Sequence, residues 1–173
     1  MSFPFPIHLC SMKNLILSVI VFSLVSIGCT EKKQDTSNNE INNNKMERKS
    51  KEQIEKLLMV YKESLNTSNV SKAVNSYTKD GVFMPSGAPT ANGTEAIKGA
   101  YEFVFSQIQL NIEFFIEEIV IENDIAFAIT TSKGTTLIHA TGDTVPEENR
   151  ELFVFEKENN EWKIARYMFN KMK

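Results

Sequence analysis

Apolar and polar residues alternate with a period of two from Ile108 to Ile116: Ile108, Leu110, Ile112, Phe114 and Ile116 fall on one side, with Gln109, Asn111 and Glu113 opposite. That is the spacing of a strand with one wet face. The alternation slips at Glu117-Glu118 and resumes at Ile119 and Ile121, as one extra residue in a bulge would make it do. Asn123-Asp124 supplies a turn, and Ile125 to Thr131 begins a return arm rich in β-branched and aromatic residues. The stretch 108–140 is therefore predicted to be one long, bent antiparallel ribbon. Its inner face needs a cover from elsewhere in the chain.

Upstream, the period changes to that of a helix. Ile54, Leu57, Leu58, Tyr61 and Leu65 recur at three- and four-residue spacings, which predicts a first helix over roughly 47–66. Asn66-Thr67-Ser68-Asn69 breaks it, and Val70, Ala73, Val74 and Tyr77 give a short second helix. Thr78 to Gly81 turns the chain, with Asp80 capping the turn, into a brief strand, Val82-Phe83-Met84, ended by Pro85; Ser86-Gly87-Ala88-Pro89 is a loop. A third helix opens at Gly93-Thr94-Glu95 with Thr94 as its cap, buries Ile97, Tyr101, Val104 and Phe105, and ends near Gln107. After the ribbon come a polar loop over 141–149, a strand from Arg150 to Glu156, a turn at Glu158-Asn159-Asn160 and a last strand from Trp162 to Asn170.

The last two strands are apolar on both faces. Phe153, Phe155, Tyr167 and Phe169 fall on one, and Leu152, Val154, Trp162, Ile164 and Met168 on the other. Helices can cover only one of these, so the outer one is expected to be a partner surface, and a homodimer through it is expected. Arg166, alternating with that face, is expected to make an ion pair or a dimer contact.

The amino end follows a third pattern. Met12-Lys13-Asn14 leads into the apolar run Leu15 to Ile27 and then Gly28-Cys29. A short positive start, a brief apolar run and a small residue before the junction read as a signal peptide over 1–28, with Met12 as the true start. The run falls short of the roughly 20 residues that a bilayer span needs. Residues 29–50 are polar and Asn-rich and are expected to form a disordered tether, leaving 51–173 as the folded domain. The chain has 173 residues, 42% of them hydrophobic and 10% aromatic, enough for one domain with a real core. A formal net charge of −3 with scattered basic residues argues against a nucleic-acid partner. Cys10 and Cys29 are the only cysteines, so no disulfide is expected in the processed chain.

Two resemblances sharpen this. The Gly28-Cys29 junction resembles the lipobox of bacterial lipoproteins, which implies that Cys29 is acylated and that the domain is exported and held at a membrane of the cell envelope. The segments YKESLNTSNVSKAVNSYTKD (61–80), GVFMPSGAPTANGTEAIKGAY (81–101) and EWKIARYMFN (161–170) resemble the SnoaL-like and ketosteroid-isomerase-like branch of the nuclear transport factor 2 superfamily, over about 51–173. The resemblance implies an α+β, cone-shaped fold in which three helices close a curved, mostly antiparallel sheet around one deep apolar pocket, commonly in dimers. That shell serves isomerases, cyclases, dehydratases and binding modules alike, so it does not choose an activity.

Ketosteroid isomerases combine an aspartate base with an oxyanion hole of a tyrosine and a neutral carboxylic acid. The resemblance places Tyr61 at the tyrosine and Glu151 at the acid, while Met84-Pro85 occupies the place of the base, and neither can take a proton at neutral pH. Tyr61 is also explained as a core residue on a helix stripe. Glu151 either points inward, where desolvation raises its pKa, or sits at the wet end of its strand. Glu117-Glu118 and Glu147-Glu148 read as solvated charge. With His8 removed by processing, His139 has no second imidazole, and neither a metal nor a cofactor is expected. The first reading is therefore a non-catalytic module binding a small apolar or amphipathic ligand in a pocket lined by Tyr61, Met84, Phe153, Phe155, Tyr167 and Phe169. The alternative is an isomerase-, cyclase- or dehydratase-type enzyme in which Tyr61 and Glu151 stabilise an oxyanion.

Overall fold

The computed structural model describes residues 33–172. The signal stretch 1–28, Cys10 and Cys29 lie outside the described residues. Helix α1 runs Lys33–Asn66, α2 Val70–Asn75 and α3 Gly93–Gln107; the strands are β1 Tyr77–Met84, β2 Ala91–Asn92, β3 Ile108–Glu122, β4 Ile125–Ile138, β5 Thr144–Glu158 and β6 Glu161–Lys171.

The apolar stripe of α1 packs as its spacing requires: Ile54, Leu58, Tyr61 and Leu65 are all buried. The helix runs from Lys33 instead of from near residue 47, so residues 33–50 of the segment expected to be a disordered tether continue the helix. No glycine or proline lies between Lys33 and Asn66, and nothing stops a helix fixed at its packed end from running back along the chain. Residues 41–49 of that extension are exposed. Asn69 caps α2, its side chain accepting the Lys72 amide at 2.9 Å. Thr94 does not cap α3; Asn92 holds the cap position, and the Thr94 hydroxyl donates to the Lys79 carbonyl at 3.3 Å.

One six-stranded sheet has the order β2-β1-β6-β5-β4-β3, antiparallel throughout except where β1 runs parallel to β6. The β3–β4 ribbon follows its sequence pattern, and its register shifts between Ile116 and Glu118, where the alternation slips. The ribbon bends there. Gly134, in β4 opposite Ile112, marks another tight point. A Cβ on it would lie 2.0 Å from the Asn111 carbonyl oxygen and 2.8 Å from the Ile112 Cα.

Three expectations fail outside the ribbon. β5 begins at Thr144, so most of the expected polar loop is strand, including Pro146 opposite Thr135. β6 pairs with β5 only up to Asn149, which leaves the segment before it as a sheet edge, where a proline without an N–H breaks no ladder. β1 begins at Tyr77, not Val82, because Tyr77 already pairs with Ile164. Finally, β6 shifts register at Ala165, between the pairs Phe155–Ile164 and Val154–Arg166. The shift turns Trp162 and Ile164 inward, and both are buried with Phe153, Phe155 and Tyr167 in place of lying on the outer face.

The outer face keeps Ile129, Leu152 and Met168 in one row across three strands, each about 37% exposed, beside Phe127, Val154 and Arg166 in the next.

Candidate functional site

Between α1, α3 and the concave side of the sheet lies a cavity of about 430 Å³. Most of its wall is apolar, from Leu65, Phe83, Val104, Leu110, Ile112 and Phe169 among others. The polar groups concentrate on one side. Strand periodicity sends Glu147, Asn149 and Glu151 of β5 inward at every second residue, and Thr136 of β4 joins them.

Glu151 is buried, with Thr130 donating to Oε2 at 2.6 Å and Tyr167 donating to Oε1 at 2.9 Å. Burial raises the pKa of its carboxyl above the usual carboxylate range, and the hydrogen bonds from Thr130, Tyr167 and Ser132 offset this only in part. Glu147 is only 7% exposed. Its Oε2 accepts from Thr136 at 2.9 Å and faces the Lys171 ammonium at 3.2 Å, and its Oε1 accepts from the Asn149 amide at 3.0 Å. The same Asn149 nitrogen donates to Ser132 at 3.2 Å, while Asn149 Oδ1 is buried with no partner among the described residues.

Three tyrosine hydroxyls also meet in the interior. Tyr101 bonds Tyr61 and, at 2.8 Å, Tyr77; Tyr61 and Tyr77 are 3.3 Å apart. Burial pushes all three phenols above their ordinary value.

The structure thus brings Tyr61 and Glu151 to one cavity but gives them separate partners, Tyr77 and Tyr101 for the first, Thr130 and Tyr167 for the second. Tyr167 and Phe169 also line the cavity. Phe153 and Phe155 do not: both are fully buried beneath it, Phe153 stacked on Tyr167 with centroids 4.2 Å apart. Met84 is not in the lining either, because its neighbour Phe83 takes the inward position. Glu147, read from sequence as solvated charge, is a buried wall residue, and so is Asn149, which the sequence pattern assigns to a polar loop. The signal was the unbroken alternation Val145, Glu147, Asn149, Glu151, Phe153, Phe155, masked by the polar character of its first half. His139 bonds the Ser106 carbonyl at 3.0 Å and is not in the lining. Among the described residues no group of three or more His, Cys, Asp or Glu is placed to hold a metal ion.

The folded-state pKa of Glu151 is raised, so the native state holds its proton to a higher pH than the unfolded chain and stability falls as pH rises above the ordinary carboxylate range. Glu151→Gln is expected to remove that slope, melting above the wild type at pH 8 and by a smaller margin at pH 4. Thermal denaturation across this range checks it; parallel curves would place the Glu151 carboxylate in water.

A cone of helices over a curled sheet, hollow and lined by a few polar groups, defines the class: a nuclear transport factor 2-like α+β domain with an internal pocket. The comparisons narrow it. The family model of the SnoaL-like domain matches residues 54–169, and the chain belongs to that family. A ketosteroid isomerase-like protein from Erwinia carotovora atroseptica is 31% identical, with a TM-score of 0.67 over 70% of this chain and 95% of that one. A nuclear transport factor 2-like superfamily protein from Salmonella enterica serovar Typhimurium shares the fold at 16% identity and a TM-score of 0.64, covering 71% of this chain and 91% of that one. A nuclear transport factor 2-like protein with a cystatin-like fold from Novosphingobium aromaticivorans does so at 17% identity and 0.60, covering 82% and 93%. No curated protein matches the chain.

Proposed function

We propose that the cone is a binding chamber for a small amphipathic molecule and that it is not catalytic. One observation carries the reading: polar groups gather on the β5 side of a cavity whose other walls are mostly apolar, the arrangement that orients a ligand with an apolar body and one polar end. An isomerase-, cyclase- or dehydratase-type activity, with Tyr61 and Glu151 stabilising an oxyanion, is the second reading, and Glu147 is the observation in its favour, since it adds a buried carboxylate to the cavity. Binding is preferred because the Glu147 oxygens are already engaged by Thr136, Asn149 and Lys171.

The neutral fluorophore N-phenyl-1-naphthylamine tests the chamber. Wild type is expected to bind it saturably with enhanced emission. Leu110→Trp, which fills the cavity from β3, is expected to weaken binding at least ten-fold with an unchanged circular dichroism spectrum. Equal binding by both proteins would put the probe elsewhere and defeat the reading.

Two further parts of the proposal concern partners. The chamber is held at the bacterial envelope by a lipid on Cys29, the reading supported by the lipobox-like junction. Two copies pair through the outer sheet face, supported by the row Ile129–Leu152–Met168. Glu118 extends that row at one margin and Arg166 stands near the other, so a two-fold axis would bring opposite charges together across the apolar centre.

A further inference from the structure

We infer that the ligand of the chamber carries a basic nitrogen, bound as an ammonium against Asn149 between the carboxylates of Glu147 and Glu151. This deepens the chamber reading and rests on it.

The inference comes from counting charges and acceptors on the polar wall. Three consecutive inward positions of β5 offer a carboxylate, an amide oxygen and a second carboxylate. Asn149 lines the cavity and is 5% exposed; its nitrogen is committed to Glu147 and Ser132, and its buried carbonyl oxygen has no partner among the described residues. An orphaned buried acceptor costs on the order of 1–3 kcal/mol unless something donates to it. An ammonium has three donors and no acceptor, and so has a use for every free lone pair on this wall.

Charge points the same way. Among the described residues two carboxylates line the cavity against one cationic residue, Lys171, whose side chain is 63% exposed and already spent on Glu147. A ligand carboxylate or phosphate would find no free cation among the described lining residues and would sit against acidic side chains. A ligand cation balances the wall. Residues of one strand face lie about 7 Å apart at every second position, so a group on Asn149 is within reach of either neighbouring carboxylate. An ammonium there would also favour the ionised form of Glu151, which burial alone disfavours.

Three molecules with one apolar body separate the possibilities: 4-phenylbutylamine, 4-phenylbutanol and 4-phenylbutyrate, titrated calorimetrically into the protein at pH 7 in low salt. The amine is expected to bind at least ten-fold more tightly than the other two. Glu147→Gln is expected to reduce that margin to three-fold or less. Lys171→Met, which frees Glu147 from its own cation, is expected to widen it, and this opposite effect survives if Glu147→Gln folds poorly. An alcohol or acid that binds as tightly as the amine overturns the inference, as does a margin that moves in neither variant. If N-phenyl-1-naphthylamine binds in the cavity while the amine shows no advantage, the ammonium falls and the chamber stands. If neither it nor the three probes bind, both fall together.

Discussion

Gly134→Ala is expected to cost more than about 3 kcal/mol, a large part of the 5–15 kcal/mol that holds a domain of this kind together, and to leave most of the protein insoluble. The clash is with backbone: the new methyl would lie 2.0 Å from the Asn111 carbonyl oxygen on the paired strand, and no side-chain rotation relieves it. Relief requires β3 and β4 to part where Ile112 and Glu147 flank Gly134, beside the polar wall of the chamber. Gly99 in α3 is the control, because a Cβ there meets nothing within 4 Å, and Gly99→Ala should gain up to about 1 kcal/mol from helix propensity. Urea unfolding of the two variants checks the pair. If Gly134→Ala matched the wild type, the strands would not approach each other this closely.

Leu152→Lys is expected to turn the proposed dimer into a monomer, weakening association by about 3 kcal/mol, a dissociation constant roughly 100-fold higher. Leu152 is the middle of the row Ile129–Leu152–Met168, and a charge there would have to be desolvated against its own copy across the axis. Because Leu152 points away from the chamber, binding of the fluorophore should be unaffected. Sedimentation of both proteins over a range of concentrations checks this. A wild type that sediments as a monomer throughout would remove the outer face as an interface.

The two halves of the sheet differ in how far their sequence foretold them. The ribbon was legible because its inner positions, Leu110, Ile112, Ile119, Ala126 and Ala128, are apolar, and the slip at Glu117 was visible as a slip in hydrophobicity. The first half of β5 was not. Its inward residues Glu147 and Asn149 are polar because they face a cavity, and a strand with polar residues on its buried side reads as a loop, all the more with Pro146 in it. The wall that gives the chamber its chemistry is therefore the part that periodicity hides. Trp162 and Ile164 were misplaced for a different reason: the bulge at Ala165 inserts one residue into the strand, and the only trace of it in the pattern is that Lys163 and Arg166 stand three residues apart instead of two or four. Tyr61 and Glu151 were placed in the same pocket by family likeness, and the structure adds the partners that likeness could not supply, the Tyr77 and Tyr101 hydroxyls for one and Thr130 and Tyr167 for the other.

Pro146 has a consequence beyond permitting that strand. From Thr144 to Glu148 β5 is bonded to β4 on one side, and on the other, among the described residues, its backbone meets only a bond from Met172 to the Glu148 carbonyl. A bare margin of this kind can recruit the strand of a stranger and seed a growing fibril. A residue with no amide hydrogen interrupts the row of donors such recruitment copies, and the charged neighbours Glu148 and Arg150 deter it further. The proline that makes this stretch look like a loop is also what keeps the strand from being continued by another molecule.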